Sequence, residues 1–247
     1  MTETPQAGVL YLLPTGLGDA ALDGALPAGS RDVAHRLTHF VAENPKSARA
    51  FLKQVGYPRA INTATISVLD KDTPAAAMPA LLAPLRSGID VAMVSEAGCP
   101  GVADPGALLV RAAHAAGIRV VPLIGPSAIL LALMASGLNG QNFSFHGYLP
   151  IEKTRRAWHV RDLEQRSRRD DATQIFIETP YRNDAMLQAV LAECSPQTLL
   201  CVATDITQPG EQIITRNVAD WRRNIPELDK RPSVFLLDCG KSARRVT

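Results

Sequence analysis

Ile89-Asp90-Val91-Ala92-Met93-Val94 runs into Ser95-Glu96-Ala97-Gly98-Cys99-Pro100-Gly101-Val102-Ala103-Asp104-Pro105-Gly106, and the Ala-rich stretch Ala107–Ala116 follows, closed by Gly117. A short apolar run that ends in a loop with three glycines and two prolines is the pattern of a strand entering a ligand-binding turn. The Ala/Leu-rich segment behind it has the composition of a helix with a glycine stop. In open α/β sheets ligands sit beyond the carboxyl ends of strands, where loops without bulky side chains let backbone amides approach them. The fold class that follows is α/β, with a binding site in the first half of the chain.

Working outward, Val9–Leu13 is a short apolar strand followed by the turn Pro14-Thr15-Gly16-Leu17-Gly18-Asp19. A second strand is expected within Val33–Ala42, and a helix over Lys46–Val55. Pro74–Arg86 is expected to be helical, with Pro79 and Pro84 imposing a kink or two pieces. Beyond the glycine loop come helix 105–116, strand 118–123 and a helix opened by Gly125-Pro126-Ser127 that runs to Ser136-Gly137. Strands alternating with helices predict a parallel sheet covered on both faces. Leu138–Pro150, rich in Asn, Gly and Ser, reads as the connection to a second α/β half. That half contains a charged helix (Lys153–Arg168), strands at 174–178, 198–204 and 233–237, a helix at 183–193 and a polar 206–231 region. The expected domains are 8–138 and 145–240, with 241–247 as a basic tail.

The chain has 247 residues, 46% hydrophobic and 20% charged, an ordinary globular composition. A formal net charge of +2 excludes a polybasic binder as a whole. No apolar run reaches the roughly 20 residues that span a bilayer, and the polar start MTETPQAG lacks the basic and apolar regions of a signal peptide. Cys99, Cys194, Cys201 and Cys239 are scattered without a CxxC, which favours a reducing, cytoplasmic setting over a disulfide framework or zinc ribbon.

Pro-Thr-Gly-Leu-Gly-Asp is no dinucleotide fingerprint, since GxGxxG is absent and Asp23 comes too early for a ribose acid. No Gly-Lys-Ser/Thr follows, so it is no phosphate P-loop either. Taken alone it is either a tight strand-to-helix turn or a ligand loop. The Ser95–Gly106 loop combined with Ile124-Gly125-Pro126-Ser127-Ala128 is more telling. Two glycine-bearing turns at the ends of parallel strands lie side by side on one sheet edge, where backbone groups hold an adenosine-like ligand without charged anchors.

His35 and His39 are spaced for one helix face, but no third ligand accompanies them and no metal is expected. Cys99 lacks the surroundings of a nucleophilic cysteine and reads as a small residue packing on a ligand. Glu178 and Arg182 fall at one strand end, either as a functional pair or as a buried ion pair. The run from Glu152 to Arg169 holds seven basic and three acidic residues, a net +4 that exceeds the charge of the whole chain. It is either a solvated helix face laced by i,i+4 pairs or a phosphate-contacting surface, with Trp158 either core or a base-stacking residue.

Together these motifs resemble the tetrapyrrole methylase superfamily of S-adenosylmethionine (SAM)-dependent methyltransferases. The nearest branch is the one that includes ribosomal small-subunit RNA methyltransferase I, whose members methylate a ribose 2′-hydroxyl. The resemblance covers about Val9 to Gly240. LYLLPTGLGD stands where the branch has Leu-Tyr-hydrophobic and a Pro-Thr-Pro-Ile-Gly-Asn-like turn. MVSEAGCPGVADPG matches Val-Ser-Asp-Ala-Gly-Thr-Pro…Asp-Pro-Gly. Ile124–Ala128, Ser136–Leu138, Phe143–Pro150, Lys153–Arg156 and Ile177–Arg182 match further elements in order. The departures are Ala42-Glu43-Asn44-Pro45-Lys46 for Ala-Glu-Asp-Thr-Arg, the loss of a His/Asn-x-x-Glu segment across 62–72, and Asp205-Ile206-Thr207-Gln208 without the family's Lys. They mark a divergent paralogue.

The resemblance implies two α/β domains with a SAM cleft between them. Pro14, Leu17, Gly18, Ser95, Gly98, Cys99, Val102, Ser127 and Ala128 would contribute from the first half, and Ile177, Asp205 and Ser233 from the second. It implies methyl transfer to RNA or the small ribosomal subunit, with Glu43 and Glu96 as candidate bases and Lys153, Arg155 and Arg156 as candidate substrate contacts. It also implies a cytoplasmic homodimer, with no metal and no membrane. A methyltransferase of a small or tetrapyrrole-like molecule, and a SAM-binding paralogue without catalysis, are the alternatives.

Overall fold

The structure, a computed structural model, describes residues 6–228 and 230–240. The expected tail at 241–247 lies outside the described residues. The chain forms two compact units that divide between Ser127 and Ala128.

In the first unit β1 (Leu10–Leu13) leads through a short 3-10 turn at Leu22–Gly24 to α1 (Ala28–Arg36), β2 (His39–Ala42), α2 (Pro45–Gln54) and β3 (Thr65–Val68). Then come α3 (Met78–Arg86), β4 (Val91–Val94), α4 (Gly106–Ala115) and β5 (Val120–Pro122). All five strands are parallel, in the order β3-β2-β4-β1-β5. Val91-Ala92-Met93-Val94 is buried at every position, as a central parallel strand covered on both faces must be. Its side chains divide by period two: Ala92 and Val94 join Leu13, Phe40, Phe51 and Leu52 in one core cluster, Val91 and Met93 join Leu10, Leu82, Leu85 and Leu109 in another. Asn44 caps α2 by accepting from the Lys46 N–H at 2.9 Å, with Pro45 in its first turn.

Two expectations for this half are corrected. The second strand expected within Val33–Ala42 occupies His39–Ala42, and the residues up to Arg36 belong to α1. His35 and His39 therefore sit on different elements, His35 bonding the Val55 carbonyl oxygen at 2.8 Å and His39 opening β2. Strand β3 adds a pairing that its alternation with Thr and Ser concealed.

The second unit contains α5 (Ala128–Ser136), β6 (Phe143–Tyr148), α6 (Lys153–Asp170), β7 (Thr173–Glu178) and α7 (Asn183–Glu193). It continues with β8 (Leu199–Thr204), β9 (Gln212–Asn217), α8 (Val218–Arg223) and β10 (Ser233–Asp238). The strand order is β6-β7-β10-β8-β9. Only β6 and β7 run parallel; β10 lies antiparallel to both β7 and β8, and β9 antiparallel to β8. Helix α5 packs with this sheet, its Ser136 carbonyl accepting from Thr215 Oγ1 at 2.7 Å, so the division falls before α5 and not after Leu138. The segment read as a connection holds edge strand β6, and the polar 206–231 region holds β9 and α8. The core stacks Phe176 on Phe235 with centroids 5.5 Å apart, and buried Trp221 donates its indole N–H to the Leu200 carbonyl at 2.9 Å.

Candidate functional site

Strand β1 lies between β4 and β5, so the turns that follow these three strands emerge side by side at the carboxyl edge of the first sheet. The connection from β1 crosses toward β2 and that from β4 toward β5, the reversal at which open α/β sheets bind ligands. The turns are tied by backbone and small side chains. The Thr15 N–H donates to Gly98 O at 3.0 Å, Thr15 Oγ1 to Ser95 O at 3.3 Å and Ser95 Oγ to Gly98 O at 2.8 Å. Cys99 Sγ reaches Pro126 O at 3.4 Å. Gly98 has φ +72°, and a Cβ there would stand 3.2 Å from Leu17 Cδ2 and 3.3 Å from Pro126 O. Only glycine takes this conformation freely.

Of the expected cofactor residues in this unit, Pro14, Ser95 and Gly98 are buried, Leu17, Cys99 and Ser127 half-buried, and Gly18 and Val102 exposed. Burial pushes the Cys99 thiol up, which disfavours a nucleophilic thiolate.

An acidic corner stands beside these turns. Glu43 follows β2 and Glu96 follows β4, and the two strands are neighbours. Ser47 Oγ on α2 donates to Glu96 Oε2 at 2.8 Å, tying the two strand ends together. Glu43 shares the wall of a small pocket with Asp104, Leu69, Met93 and Gly106. Partial burial raises the Glu43 carboxyl above its ordinary value, and the negative charges of Asp104, Glu96 and Asp70 raise it further. Asp104 Oδ1 accepts from the N–H groups of Gly101 and Gly106, both at 2.8 Å, yet burial outweighs these bonds and its carboxyl is also raised. Asp104 is a neighbour that sequence reasoning did not single out; its signal was its place in the Asp-Pro-Gly of the decisive loop.

In the second unit Ile177 and Ser233 gather at one sheet edge. Ser233 opens β10 opposite Glu178 at the end of β7 and Thr204 at the end of β8. Asp205 follows directly, with φ +50°, its N–H bonded to Pro232 O and Oδ2 accepting from Arg231 Nε at 2.6 Å. Ala128 begins α5. Glu178 and Arg182 form an ion pair in which the glutamate side chain is fully buried. Oε1 carries the contacts, while Glu178 Oε2 and Asn183 Oδ1 stay buried without a partner. His146 on β6 bonds Gln174 at 2.7 Å.

Helix α6 buries Arg156, Val160, Leu163, Glu164 and Ser167 and exposes the opposite face. Glu152 caps it, accepting from the N–H groups of Thr154 and Arg155 at 2.8 and 2.7 Å. Lys153 and Arg155 are exposed. Arg156 is buried, with Nη1 donating to Ile151 O at 3.2 Å and Nε unpartnered. Its guanidinium thus does not stand on the open face with the other two candidate contacts.

A parallel sheet with bare glycine turns at its carboxyl edge, followed by a mixed five-stranded sheet, matches a defined class of enzymes. Residues 9–221 match the family described as Tetrapyrrole (Corrin/Porphyrin) Methylases, and the chain belongs to that family. It is a methyltransferase. Among its relatives is "Ribosomal RNA small subunit methyltransferase I" of Xylella fastidiosa strain Temecula1, 33% identical over 88% of this chain and 76% of the relative. The protein of the same name from Vibrio cholerae is 32% identical over 91% of this chain and 74% of its own length. In fold the chain is similar to the crystal structure of the methyltransferase CobJ, with TM-score 0.61 and 21% identity, covering 94% of this chain and 93% of the other.

Proposed function

We propose that the protein transfers the methyl group of SAM to RNA of the small ribosomal subunit, with a ribose 2′-hydroxyl as acceptor. The observation that carries the reading is the junction of bare turns after β1, β4 and β5, taken with the names of the relatives that align over most of the chain. The turns suit an adenosyl ligand. Gly98 offers backbone where a side chain would press on Leu17 and Pro126, and Ser95, Cys99 and Thr15 are engaged in holding the loops, so backbone groups face an adenosyl ligand there. In the first unit Pro14, Leu17, Gly18, Ser95, Gly98, Cys99, Val102 and Ser127 hold the donor.

SAM, when bound, supplies an electrophilic methyl on a sulfonium. The chain's task is to align the acceptor oxygen about 3 Å from that carbon and to take the hydroxyl proton, since a neutral ribose hydroxyl is a poor nucleophile. Glu43 accepts this proton on its carboxylate and releases it to solvent. A raised carboxyl is the better base for this purpose, because proton affinity and availability are balanced nearer neutral pH. Glu96 and Asp104 keep that carboxyl raised. Lys153 and Arg155 meet RNA phosphates. The protein works in the cytoplasm as a homodimer; its four cysteines, all free thiols, suit a reducing compartment.

The test is calorimetric titration with SAM and S-adenosylhomocysteine, followed by labelled-methyl transfer to small subunits and to their naked RNA. Micromolar binding and label in the RNA are expected. Binding with label only in a tetrapyrrole would move the protein to the other enzymatic reading, and binding without any transfer would make it a SAM-binding paralogue.

A further inference from the structure

We propose that Trp158 is a base-stacking contact for a single-stranded segment of the substrate RNA, with Arg155 one turn before it and Lys153 at the start of the same helix as phosphate contacts; this rests on the RNA reading above. Helix α6 turns its core face through Arg156, Val160, Leu163, Glu164 and Ser167. Trp158 lies on the opposite face and is 55% exposed, whereas Trp221 is 2% exposed with its N–H bonded. A tryptophan kept for packing would occupy the core face. The ring's aromatic neighbour is His159, perpendicular at 4.9 Å, and none of the cation–π contacts among the described residues involves Trp158.

The exposed basic residues of α6 divide into paired and unpaired, Arg168 near its far end being outside the ion pairs among the described residues as well. Arg161, Arg166 and Arg169 are engaged in ion pairs with Glu193, Asp162 and Asp170. Lys153 and Arg155, five and three residues before the indole, are exposed and take no part in any ion pair among the described residues. Glu152 uses both carboxylate oxygens on the helix cap, which fixes the turn that carries these two cations. An uncovered indole one turn from the exposed Arg155, with Lys153 at the helix start, is complementary to a strand that offers phosphates and unstacked bases. An anionic membrane would need a row of large apolar side chains along the exposed face, and positions 154, 155, 161 and 165 hold Thr, Arg, Arg and Gln.

The experiment is a titration of the full chain and its variants with a short fluorescein-labelled single-stranded RNA and with the matching duplex, across a series of salt concentrations. Trp158→Ala should weaken single-strand binding about tenfold or more while leaving the salt slope, the SAM affinity and the melting temperature unchanged. Trp158→Phe should recover most of the loss. Lys153→Ala combined with Arg155→Ala should flatten the salt slope by about 0.7 for each phosphate no longer neutralised. Single-stranded RNA should also quench indole emission in the wild-type chain and not in Trp158→Ala. Undiminished binding by Trp158→Ala overturns the stacking proposal and leaves the RNA reading intact. A wild-type chain that binds no RNA overturns both. A change of sedimentation coefficient in Trp158→Ala, with RNA affinity unchanged, assigns the face to a second copy of the chain and overturns the proposal.

Discussion

Glu43 sits where burial and three carboxylates act in the same direction, so its chemistry is open to a direct test. In Glu43→Gln we expect turnover to fall by about a hundredfold or more, the range of a positioned proton acceptor, while calorimetric SAM affinity barely moves. Equal loss of both would remove it as the base. Because burial and its neighbours disfavour the charged form, the wild-type kcat/KM should rise with pH through an apparent pKa above that of an ordinary glutamate. Removing a neighbouring negative charge eases ionisation, so Asp104→Asn or Glu96→Gln should move this limb to lower pH. A limb that stays in place contradicts the coupling. Gly98 carries the other prediction at this scale. Ala at φ +72° costs about 1–2 kcal/mol in backbone strain and puts a methyl against Leu17 and Pro126, so Gly98→Ala should lower SAM affinity about tenfold or more by calorimetry. The turn residues were legible in the sequence because glycine and proline mark such loops unambiguously. Asp104 stood in the Asp-Pro-Gly of the decisive loop, but its place on the pocket wall was not legible, nor was the inward turn of Arg156, one arginine among seven basic residues.

Among elements, legibility followed apolar composition, so that even the half-buried edge strand β5 was anticipated. Strands β4, β7, β8 and β10 are buried for most of their length and β1 is an apolar run buried at both ends, and each was anticipated within a few residues. Strands β3, β6 and β9 close or flank sheet edges, and their exposed, polar alternate positions made Thr65–Val68, Phe143–Tyr148 and Gln212–Asn217 read as loop or connection. Helix α1 escaped notice because its composition is polar and shows no long apolar stripe. Stability should reflect the same hierarchy. Trp221→Ala, which removes a 2%-exposed indole and its bond to Leu200, should cost about 3–5 kcal/mol in denaturant unfolding. Asn44→Ala, which removes only the cap of α2, should cost about 1 kcal/mol. Similar losses from the two would contradict this ordering.

For the whole molecule, the sequence anticipated two α/β units of similar size but not their difference. The first unit is wholly parallel because each strand returns through a crossover segment, whereas the hairpin from β8 to β9 and the reversed β10 make the second sheet mixed. Family membership joins both units to one methyltransferase reading, and the substrate is the claim most in need of measurement. The decisive experiment incubates the purified protein with methyl-tritiated SAM and small ribosomal subunits lacking the modification, followed by nuclease digestion and chromatography of the nucleosides. The account predicts label in one ribose-methylated nucleoside of the small-subunit RNA, lost in Glu43→Gln. Label confined to a base, or to a small molecule in place of RNA, would contradict it.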